Sequence, residues 1–360
     1  MTNYVEYNDK IAFHPGYYIK EIVENLGITQ EDFAKRLDTT PKNISLIIRG
    51  EQRLSTDMAM KLSNMLGTSV NYWLNLQNAY DAALAEIEAV EELEKDKTIL
   101  RLLGYDYFEQ HFNLPHLPRQ LELQVKELRK FLGVANLQVL QGRDFAVNFR
   151  GNTTSMDRAN IIKANAMVQI ATNMALQTKA PKFNKVKFED AVEKALNLTQ
   201  EHEIFLPIVT ESFKNAGVIL QILPNLKGSK INGATKKIGS RILLMVNDRR
   251  RYADTFWVTL MHEIGHIMNG DYGISVEGQK GKCEDLADRY AQDKLIDPDM
   301  YEIFVKWSDF SERAIRKFAK QINRDPGIIL GRLESDGYVG YNNWSLKSLK
   351  TKYKVLSECG

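Results

Sequence analysis

Hydrophobic residues along the first 78 positions recur at the spacing of helices rather than of strands. They predict five short helices, at about 15–26, 29–37, 40–49, 55–66 and 70–76. The second and third are joined by a tight turn, as in a helix-turn-helix. The side chains expected to face the interior are Phe33, Ala34, Leu37, Ile44 and Ile47. Residues 1–78 are therefore predicted to form a five-helix bundle.

Capping residues indicate where the second and third helices begin. Thr29 is predicted to cap the second helix, with Asp32 as its capping-box partner. Thr40 is predicted to cap the third helix, and Pro41 takes its first helical position, where no N–H donor is needed. Gly27 ends the first helix. These local signals agree with the hydrophobic pattern.

Beyond residue 78 the pattern remains helical. Residues 79–103 are acidic and alanine-rich and predict a connecting helix. Its apolar stripe is loose, so both a spacer and a self-associating surface remain open. Residues 104–203 predict a helical middle region without a functional motif, in which Met167 and Met174 are interpreted as core residues.

From about residue 204 the period changes. The segments 218–223 and 241–247 are apolar runs typical of strands. The region between them contains Lys227, Lys230, Lys236 and Lys237, which we interpret as a solvated loop; the alternative is a groove for an acidic partner or DNA. The fold class expected for the chain is α+β and mostly helical, with a small β-sheet in a domain at 204–345 and a basic C-terminal tail at 346–360.

The second strand leads directly into a segment that is apolar nearly all round. It predicts a helix from Asp254, a suitable N-cap, to Gly270, a suitable C-terminal stop. A helix without a polar face belongs in the interior of a domain.

Charge and composition exclude several classes of protein. The formal net charge is +2, and by our count residues 1–78 hold eight Lys and Arg against nine Asp and Glu, so no basic field indicates nucleic acid. The two cysteines, Cys283 and Cys359, provide no disulfide framework and suit a reducing compartment. The sequence has neither a signal peptide nor an apolar run long enough to span a bilayer. We expect a cytoplasmic protein that does not enter the membrane.

The interior helix carries an H-E-x-x-H pattern. His262 and His266 are four residues apart, so their imidazoles lie on one face of the helix and can bind the same Zn²⁺. Glu263 is suited to accept a proton from a water molecule that the metal activates. The alternative is a pair of buried histidines with a salt-bridged glutamate. Burying these groups together requires a compensating partner, which a metal supplies.

A catalytic zinc site needs a third protein ligand. The candidates follow on the next predicted helix: Cys283, Glu284, Asp285 and Asp288. Glu284 and Asp288 are one turn apart, so Glu284 can ligate the metal while Asp288 accepts the outer N–H of a ligating histidine. Asp285 faces away from them. A surface acidic patch is the alternative interpretation.

The N-terminal bundle contains the motif T-Q-E-D-F-A-K-R-L-(x)3-P-K-N-I-S-x-I-I-R-G, followed by M-L-G-T-S-V-N-Y-W-L-N-L-Q. With these motifs the bundle resembles the Cro/XRE-type domain of HigA-like antitoxins. The resemblance implies that the third helix enters the major groove of DNA. The positions that match DNA-contacting positions are Gln30, Pro41, Lys42, Asn43 and Ser45, with Arg49 and Arg53 suited to phosphates. Since the bundle has no net positive charge, binding is expected to rest on local charges, doubled in a homodimer. A helix-turn-helix reused for protein contacts is the alternative.

Six motifs follow one another in the C-terminal part of the chain: G-V-I-L-Q-I-L-P, I-N-G-A, R-I-L-L-M-V-N, W-V-T-L-M-H-E-I-G-H, E-D-L-A-D-R-Y-A-(x)3-L-I and D-P-G-I-I-L-G-R-L. In this order, over about residues 205–345, the chain resembles the ImmA/IrrE metallopeptidase family. The resemblance implies a zincin-like domain that hydrolyses peptides, with Zn²⁺ on His262, His266 and Glu284 and with Glu263 as general base. Asp288 matches the position after the alanine in the family's E-x-x-A-[DN]-x-[FY]-A motif.

The substrate side of the reaction is less defined. The strand at 241–247 is a candidate for pairing with an extended substrate. Tyr252, Tyr290 and Arg332 are alternatives for a group that stabilises an oxyanion.

These expectations combine into one hypothesis and one alternative. The chain is expected to be a DNA-binding regulator with a zinc-dependent endopeptidase domain that cleaves a repressor or antitoxin in a stress response. The alternative is a HigA-like DNA-binding antitoxin or repressor whose zincin-like domain senses a signal or binds a partner protein without cutting it.

Overall fold

The computed structural model describes residues 4–7, 10–146, 157–249, 251–278 and 281–353. Contacts along the chain divide it into two compact units, Met1–Lys95 and Asp96–Gly360. Within the described ranges, no helix combines the length and the apolar composition that crossing a bilayer requires.

The first unit contains the predicted helical bundle. Its helices are α1 (Pro15–Asn25), α2 (Gln30–Arg36), α3 (Pro41–Ile48), α4 (Thr56–Leu66) and the start of α5 (Val70–Leu103). The fifth helix of the bundle and the predicted connecting helix are thus one continuous helix of 34 residues. An antiparallel hairpin of β1 (Tyr4–Tyr7) and β2 (Lys10–Phe13) precedes α1 and was absent from the sequence-based prediction.

The predicted caps of the bundle are confirmed. Thr29 Oγ1 accepts a hydrogen bond from the backbone N–H of Asp32 at 3.1 Å. Thr40 Oγ1 accepts one from the N–H of Asn43 at 3.2 Å, and Pro41 is the first residue of α3. Each cap satisfies a donor that the first helical turn would otherwise leave unpaired.

The interior of the bundle also agrees with the prediction. All five side chains expected inside are at most 2% exposed; they are Phe33, Ala34, Leu37, Ile44 and Ile47. A close backbone contact adds a constraint that the sequence pattern did not reveal. A Cβ atom on Gly16 of α1 would lie 1.9 Å from the carbonyl oxygen of Ile47. Only glycine lets α1 approach α3 this closely.

The second unit begins with α6 (Tyr105–Phe112), α7 (Leu121–Leu132), a 3₁₀ turn (Leu137–Gln141), α8 (Arg158–Gln177), α9 (Lys185–Leu196) and α10 (Phe205–Asn215). Met167 is buried as predicted, whereas Met174 is 39% exposed, so its assignment to the core was wrong. Helix α9 supplies Phe188 and Val192 to the same core as the interior helix of the H-E-x-x-H pattern. The regions expected at 104–203 and 204–345 therefore belong to one compact unit.

Four strands form a mixed sheet in the order β3–β5–β4–β6: β3 (Val218–Leu223), β4 (Ile231–Ile238), β5 (Arg241–Asn247) and β6 (Gly273–Val276). β3 is parallel to β5, and β4 is antiparallel to both β5 and β6. The two runs predicted to be strands, 218–223 and 241–247, are confirmed as β3 and β5. The predicted loop between them was wrong in part, because Lys236 and Lys237 lie on strand β4.

The remaining helices are α11 (Ala253–Asn269), α12 (Lys282–Leu295), α13 (Pro298–Lys306), α14 (Glu312–Gln321) and α15 (Pro326–Ser335), followed by a 3₁₀ turn (Trp344–Leu349). α11 is the predicted interior helix: Trp257, Leu260 and Ile264 on it have no exposed surface. The helix packs against β4, β5, α12 and α15.

The start of α11 differs from the prediction. The helix begins at Ala253, so Asp254 is not its N-cap. The N–H of Ala253 donates to the carbonyl of Thr351 at 2.9 Å, and Asp254 forms an ion pair with Lys350 at 3.0 Å. The capping partner comes from a distant part of the chain, which local sequence signals do not indicate.

The expected basic tail at 346–360 is in part a core element. Leu346 and Leu349 are buried in the main core of the second unit. The ring of Tyr353 stacks on Phe205, with centroids 5.4 Å apart. Residues 354–360, including Cys359, lie outside the described residues. The segment from 346 to 353 thus belongs to the domain that contains α11.

We predict that Gly16→Ala destabilises the first unit, because the added methyl group would overlap the backbone of Ile47. Overpacking of this kind costs about 1–3 kcal/mol. Hydrogen–deuterium exchange of peptides from residues 15–48 measures the effect, and faster exchange is expected in this region. Lys20→Ala, an exposed change on the same helix, is the matched control and should exchange as wild type does. Equal protection in Gly16→Ala would contradict the close approach.

Candidate metal centre and nucleic-acid interface

The metal centre depends on how closely α12 approaches α11. Gly265 lies in the middle of α11, and a Cβ atom there would be 3.1 Å from the Cα atom of Ala287 on α12. Small residues at both positions allow the two helices to pack backbone against backbone. Glu284 precedes Ala287 by one helical turn and Asp288 follows it directly. The contact therefore places both acidic side chains beside the histidines of α11.

His262, His266 and Glu284 offer ligand atoms that all lie within 4.8 Å of one another. His262 Nε2 and His266 Nε2 are 3.0 Å apart. Glu284 Oε2 is 3.3 Å from His262 Nε2, and Glu284 Oε1 is 3.6 Å from His266 Nε2. Ligand atoms around a tetrahedral zinc ion are separated by about 3.4 Å, given its bond lengths. The three side chains therefore have the spacing that one zinc ion requires.

The outer nitrogens of both histidines face carboxylates. His262 Nδ1 is 2.7 Å from Asp288 Oδ1, and His266 Nδ1 is 2.9 Å from Asp271 Oδ2. A carboxylate at Nδ1 fixes the proton there and leaves the lone pair of Nε2 free for a metal. Two Nε2 lone pairs that face each other at 3.0 Å repel unless a cation or a proton lies between them.

The sequence analysis missed Asp271. The residue directly follows the Gly270 that ends α11, five positions after His266. The backbone N–H of Asp271 donates to the carbonyl of His266, so the helix end itself turns this carboxylate back toward the histidine. A glycine stop followed by an acidic residue was the signal that could have indicated this contact.

Glu263 lies between α11 and the sheet and has no exposed surface. Its side chain packs against Gly233 of β4, where a Cβ atom would lie 2.6 Å from Glu263 Oε1. Glycine at position 233 thus makes the space for this carboxylate. The motif places Glu263 next to His262 in the sequence, and the strand holds it in place.

The electrostatics of the cluster favour a positive charge. Burial lowers the pKa of His262, but hydrogen bonds to the carboxylates of Asp288 and Glu284 and the charge of Glu263 outweigh burial and raise this pKa to about 10. Glu284 Oε1 is buried and accepts no hydrogen bond from any residue in the described ranges. A divalent cation would satisfy this oxygen and both Nε2 atoms together, so the donor set fits zinc.

The other sequence candidates lie elsewhere. Cys283 and Asp285 are exposed and outside the cluster. Strand β5 cannot pair with a substrate as expected, because β3 and β4 flank it on both sides. Of the groups considered for oxyanion stabilisation, Arg332 forms an ion pair with Asp336 at 2.7 Å and Tyr252 forms a backbone bridge with Lys352.

Tyr290, the third oxyanion candidate, packs against Gly265, whose Cβ would be 3.1 Å from the Tyr290 Cβ. Burial raises its pKa far above the ordinary value of a tyrosine. Its hydroxyl therefore stays protonated, and the nearby charges that raise its pKa further are those of Glu193 and Glu189 on α9.

In the first unit the residues predicted to contact DNA lie on and around α3. Gln30, Pro41, Lys42, Arg49 and Arg53 are exposed, whereas Asn43 and Ser45 are half-buried. Asn43 Nδ2 donates to Thr39 Oγ1 at 2.9 Å, and Gln52 Nε2 donates to Asn43 Oδ1 at 2.6 Å. The amide of Asn43 is therefore held in one orientation. Gln52, which holds it, was not among the predicted residues.

The two arginines suited to phosphates have acidic partners within the same unit. Arg49 forms two hydrogen bonds with the carboxylate of Glu51, at 2.9 and 3.0 Å. Arg53 forms an ion pair with Asp81. Exposed pairs of this kind contribute about 0–1 kcal/mol, so a phosphate can replace the carboxylate at little cost.

Comparison with known proteins identifies the first unit. A helix-turn-helix family model matches residues 19–73. The uncharacterized HTH-type transcriptional regulator YddM of Escherichia coli K12 is 39% identical over 79 residues, which are 21% of this chain and 84% of that protein. Virulence-associated protein I of Dichelobacter nodosus is 34% identical over 80 residues, which are 22% of this chain and 74% of that protein.

A solved structure is also similar. It is an addiction module antidote protein of a HigA family from Coxiella burnetii, 30% identical, with a TM-score of 0.22 and coverage of 23% of this chain and 92% of that one. The matched length in each comparison is that of the N-terminal bundle. Through this bundle, the chain belongs to the helix-turn-helix family of transcriptional regulators.

Proposed function

We propose that this DNA-binding regulator is also a zinc-dependent endopeptidase whose catalytic site lies between α11 and α12. The observation that carries the proposal is the convergence of His262, His266 and Glu284, with the distances given above, beside a buried Glu263. A structural zinc site is normally closed by four protein ligands, whereas three ligands leave a position for water and substrate. The described residues bring three such ligands together.

Each residue has a role that follows from its position. His262, His266 and Glu284 would hold the ion, while Asp288 and Asp271 keep the two imidazoles oriented through Nδ1. A bound Zn²⁺ supplies a lowered water pKa and polarisation of the scissile carbonyl. Glu263 accepts the proton of the attacking water and donates it to the leaving amine. Gly233 keeps the space that this carboxylate occupies.

The first unit supports DNA binding through α3, with Asn43 directed at bases and Arg49 at phosphates. Its relatives include antidote proteins and transcriptional regulators. By this similarity we propose that the chain binds an operator and that its substrate is a protein of the same regulatory circuit, a repressor or an antitoxin. Association of two chains on DNA, which would double the local positive charges, belongs to the same proposal.

One observation favours a second candidate, a regulator whose metal centre senses a signal or binds a partner without cutting it. Glu263 has no exposed surface, and strand β4 above it is flanked by β5 and β6. Substrate would have to enter from the side of His262, whose side chain is 14% exposed. The two candidates differ in whether Glu263 is needed for function.

For DNA binding, we predict opposite effects of two neighbouring substitutions. Arg49→Ala should weaken binding to all sequences and lower the salt dependence by about one phosphate contact, whereas Glu51→Gln should strengthen binding because it releases Arg49. Asn43→Ala should relax base preference by about 1–3 kcal/mol. Fluorescence anisotropy with the DNA upstream of the gene, at several salt concentrations, is the measurement. Lys20→Ala, on the exposed face of α1, serves as the control. Weaker binding by Glu51→Gln would contradict the role of Arg49.

For the metal, we predict about one Zn²⁺ per chain and its loss in His262→Ala. The pKa of His262 is about 10, so at lower pH this histidine holds a proton that zinc must displace. The apparent affinity should therefore rise about tenfold per pH unit between pH 6 and 9, since one proton is released on binding. Competition with a chromophoric chelator, corrected for the chelator's own protonation, measures this slope. His116→Ala, which removes an exposed histidine outside the cluster, should bind zinc like wild type. A flat pH profile would contradict the raised pKa of His262, and unchanged zinc content in His262→Ala is the result that would exclude this ligand set.

For catalysis, Glu263→Gln should retain zinc but lose about 10²–10⁴ in cleavage rate, because the amide cannot accept a proton. The measurement is the count of new peptide termini, by mass spectrometry, after incubation of the zinc-loaded chain with a bacterial peptide library. Glu302→Gln changes an exposed glutamate on α13 in the same way and should cut like wild type. DNA binding should be unchanged in both variants. If wild type and Glu263→Gln give the same termini, the sensor candidate replaces the peptidase.

A further inference from the structure

A cavity of about 250 Å³ is lined by residues of α11, α12 and α15. Val258 lines it and precedes His262 by four residues, so the two share one face of α11. Gln292 lines it from α12 and follows Asp288 by four residues. The cavity therefore begins about one helical turn from His262 along α11 and about one turn from Asp288 along α12. A peptide bound at the metal cluster would have a neighbouring side chain within reach of it.

The walls of this cavity are largely apolar and open on one side. Leu295, Ile296 and Ile328 line its interior, and the exposed side chains of Val258 and Tyr341 border its opening. Such walls suit the hydrocarbon part of a long side chain.

A helical glycine keeps the inner end of the cavity open. Gly331 lies inside α15, where glycine is less stable than alanine. A Cβ atom at this position would lie 3.0 Å from Asp254 Oδ2. The absence of a side chain therefore preserves space directly in front of the Asp254 carboxylate, which also lines the cavity.

Four charged side chains line the cavity, two carboxylates and two cations, and one of the cations is paired with a carboxylate outside the lining. Asp254 and Glu334 are 3% and 7% exposed, and both form ion pairs with Lys350, at 3.0 and 2.6 Å. Arg332, also at the wall, forms an ion pair with Asp336. Two carboxylates thus share one ammonium group. Asp254 Oδ1 is buried and has no hydrogen-bond partner among the residues that the structure describes.

We propose that this cavity holds an arginine side chain of the protein that occupies the metal cleft. The proposal rests on the peptidase function in assigning that protein as a substrate, with its arginine beside the bond that is cut. The stem of arginine would lie along Leu295 and Ile296. Its guanidinium would lie beside Glu334 and Asp254, which share the single ammonium group of Lys350, and there it can form several hydrogen bonds at once.

Direct binding tests the pocket without requiring cleavage. The probes are N-acetyl-arginine amide and N-acetyl-citrulline amide, which have nearly the same shape but differ in charge, and binding to the full-length chain is followed by ligand-observed NMR. We expect the arginine probe to bind at least tenfold more tightly than the citrulline probe. Glu334→Gln should reduce this ratio to below threefold, and Gly331→Val should remove binding of both probes by filling the cavity.

The controls separate a lost pocket from a lost fold. Glu302→Gln, an exposed change on α13, should keep the wild-type ratio, and thermal unfolding should show that Glu334→Gln and Gly331→Val remain folded. If a variant does not fold, the wild-type ratio of arginine to citrulline still decides. Equal binding of the two probes to wild type, or no binding of either, would overturn the proposal.

Cleavage of the peptide library then separates the pocket from the peptidase. If arginine is enriched beside the cut in the new termini, and this enrichment is reduced in Glu334→Gln, the result supports both the peptidase function and the arginine pocket. Termini without arginine enrichment overturn the assignment of the pocket but leave the peptidase intact. No termini in wild type, together with preferential binding of the arginine probe, refute the peptidase while the pocket remains a site for a basic side chain of a bound partner.

Discussion

The close packing of α11 against α12 is the constraint on which the proposed metal centre depends. Gly265 and Ala287 are the residues at which the two helices cross, and their small size lets the helix backbones approach closely. At this separation Glu284 reaches His266 and Asp288 reaches His262. A bulkier residue at either position would separate the helices by the width of that side chain. Since the ligand atoms must lie within a few ångströms of one ion, such a shift would leave the histidines without their third partner.

The same packing buries charge that the apolar core cannot stabilise alone. Glu263 and His266 have no exposed surface, and Glu284 is 7% exposed. Isolated charges in such surroundings are strongly destabilising unless they are paired or bind a metal. The raised pKa of His262 expresses this imbalance, since the surrounding carboxylates favour the protonated imidazole where no metal is bound. Stability of the second unit and metal occupancy should therefore be linked.

The parts of the fold that were predictable from the sequence are those set by neighbours along the chain. Thr29, Thr40 and Pro41 act within one helical turn, and the periodicity that buries Phe33 and Ile44 is also local. Contacts between distant segments were not predictable. By its sequence context Asp254 is a suitable helix cap. In the structure Thr351 and Lys350, about a hundred positions later, contact that end of α11, Thr351 by accepting a hydrogen bond from the N–H of Ala253 and Lys350 by pairing with Asp254. The position of β5 inside the sheet is a matter of pairing order, which its composition does not determine.

Helix α11 connects two features that the sequence motif alone does not relate. Its second half holds the ligands, whereas Asp254 and Val258 in its first half line the cavity. Helix α12 runs beside it and contributes to both in the opposite order along the chain, with Asp288 at the cluster and Gln292, one turn later, at the cavity. Lys350 fixes the far end by its pairing with Asp254. Because the two features are neighbours along the same pair of helices but share no residue, substitutions that reshape the cavity can be made without changing the candidate metal ligands.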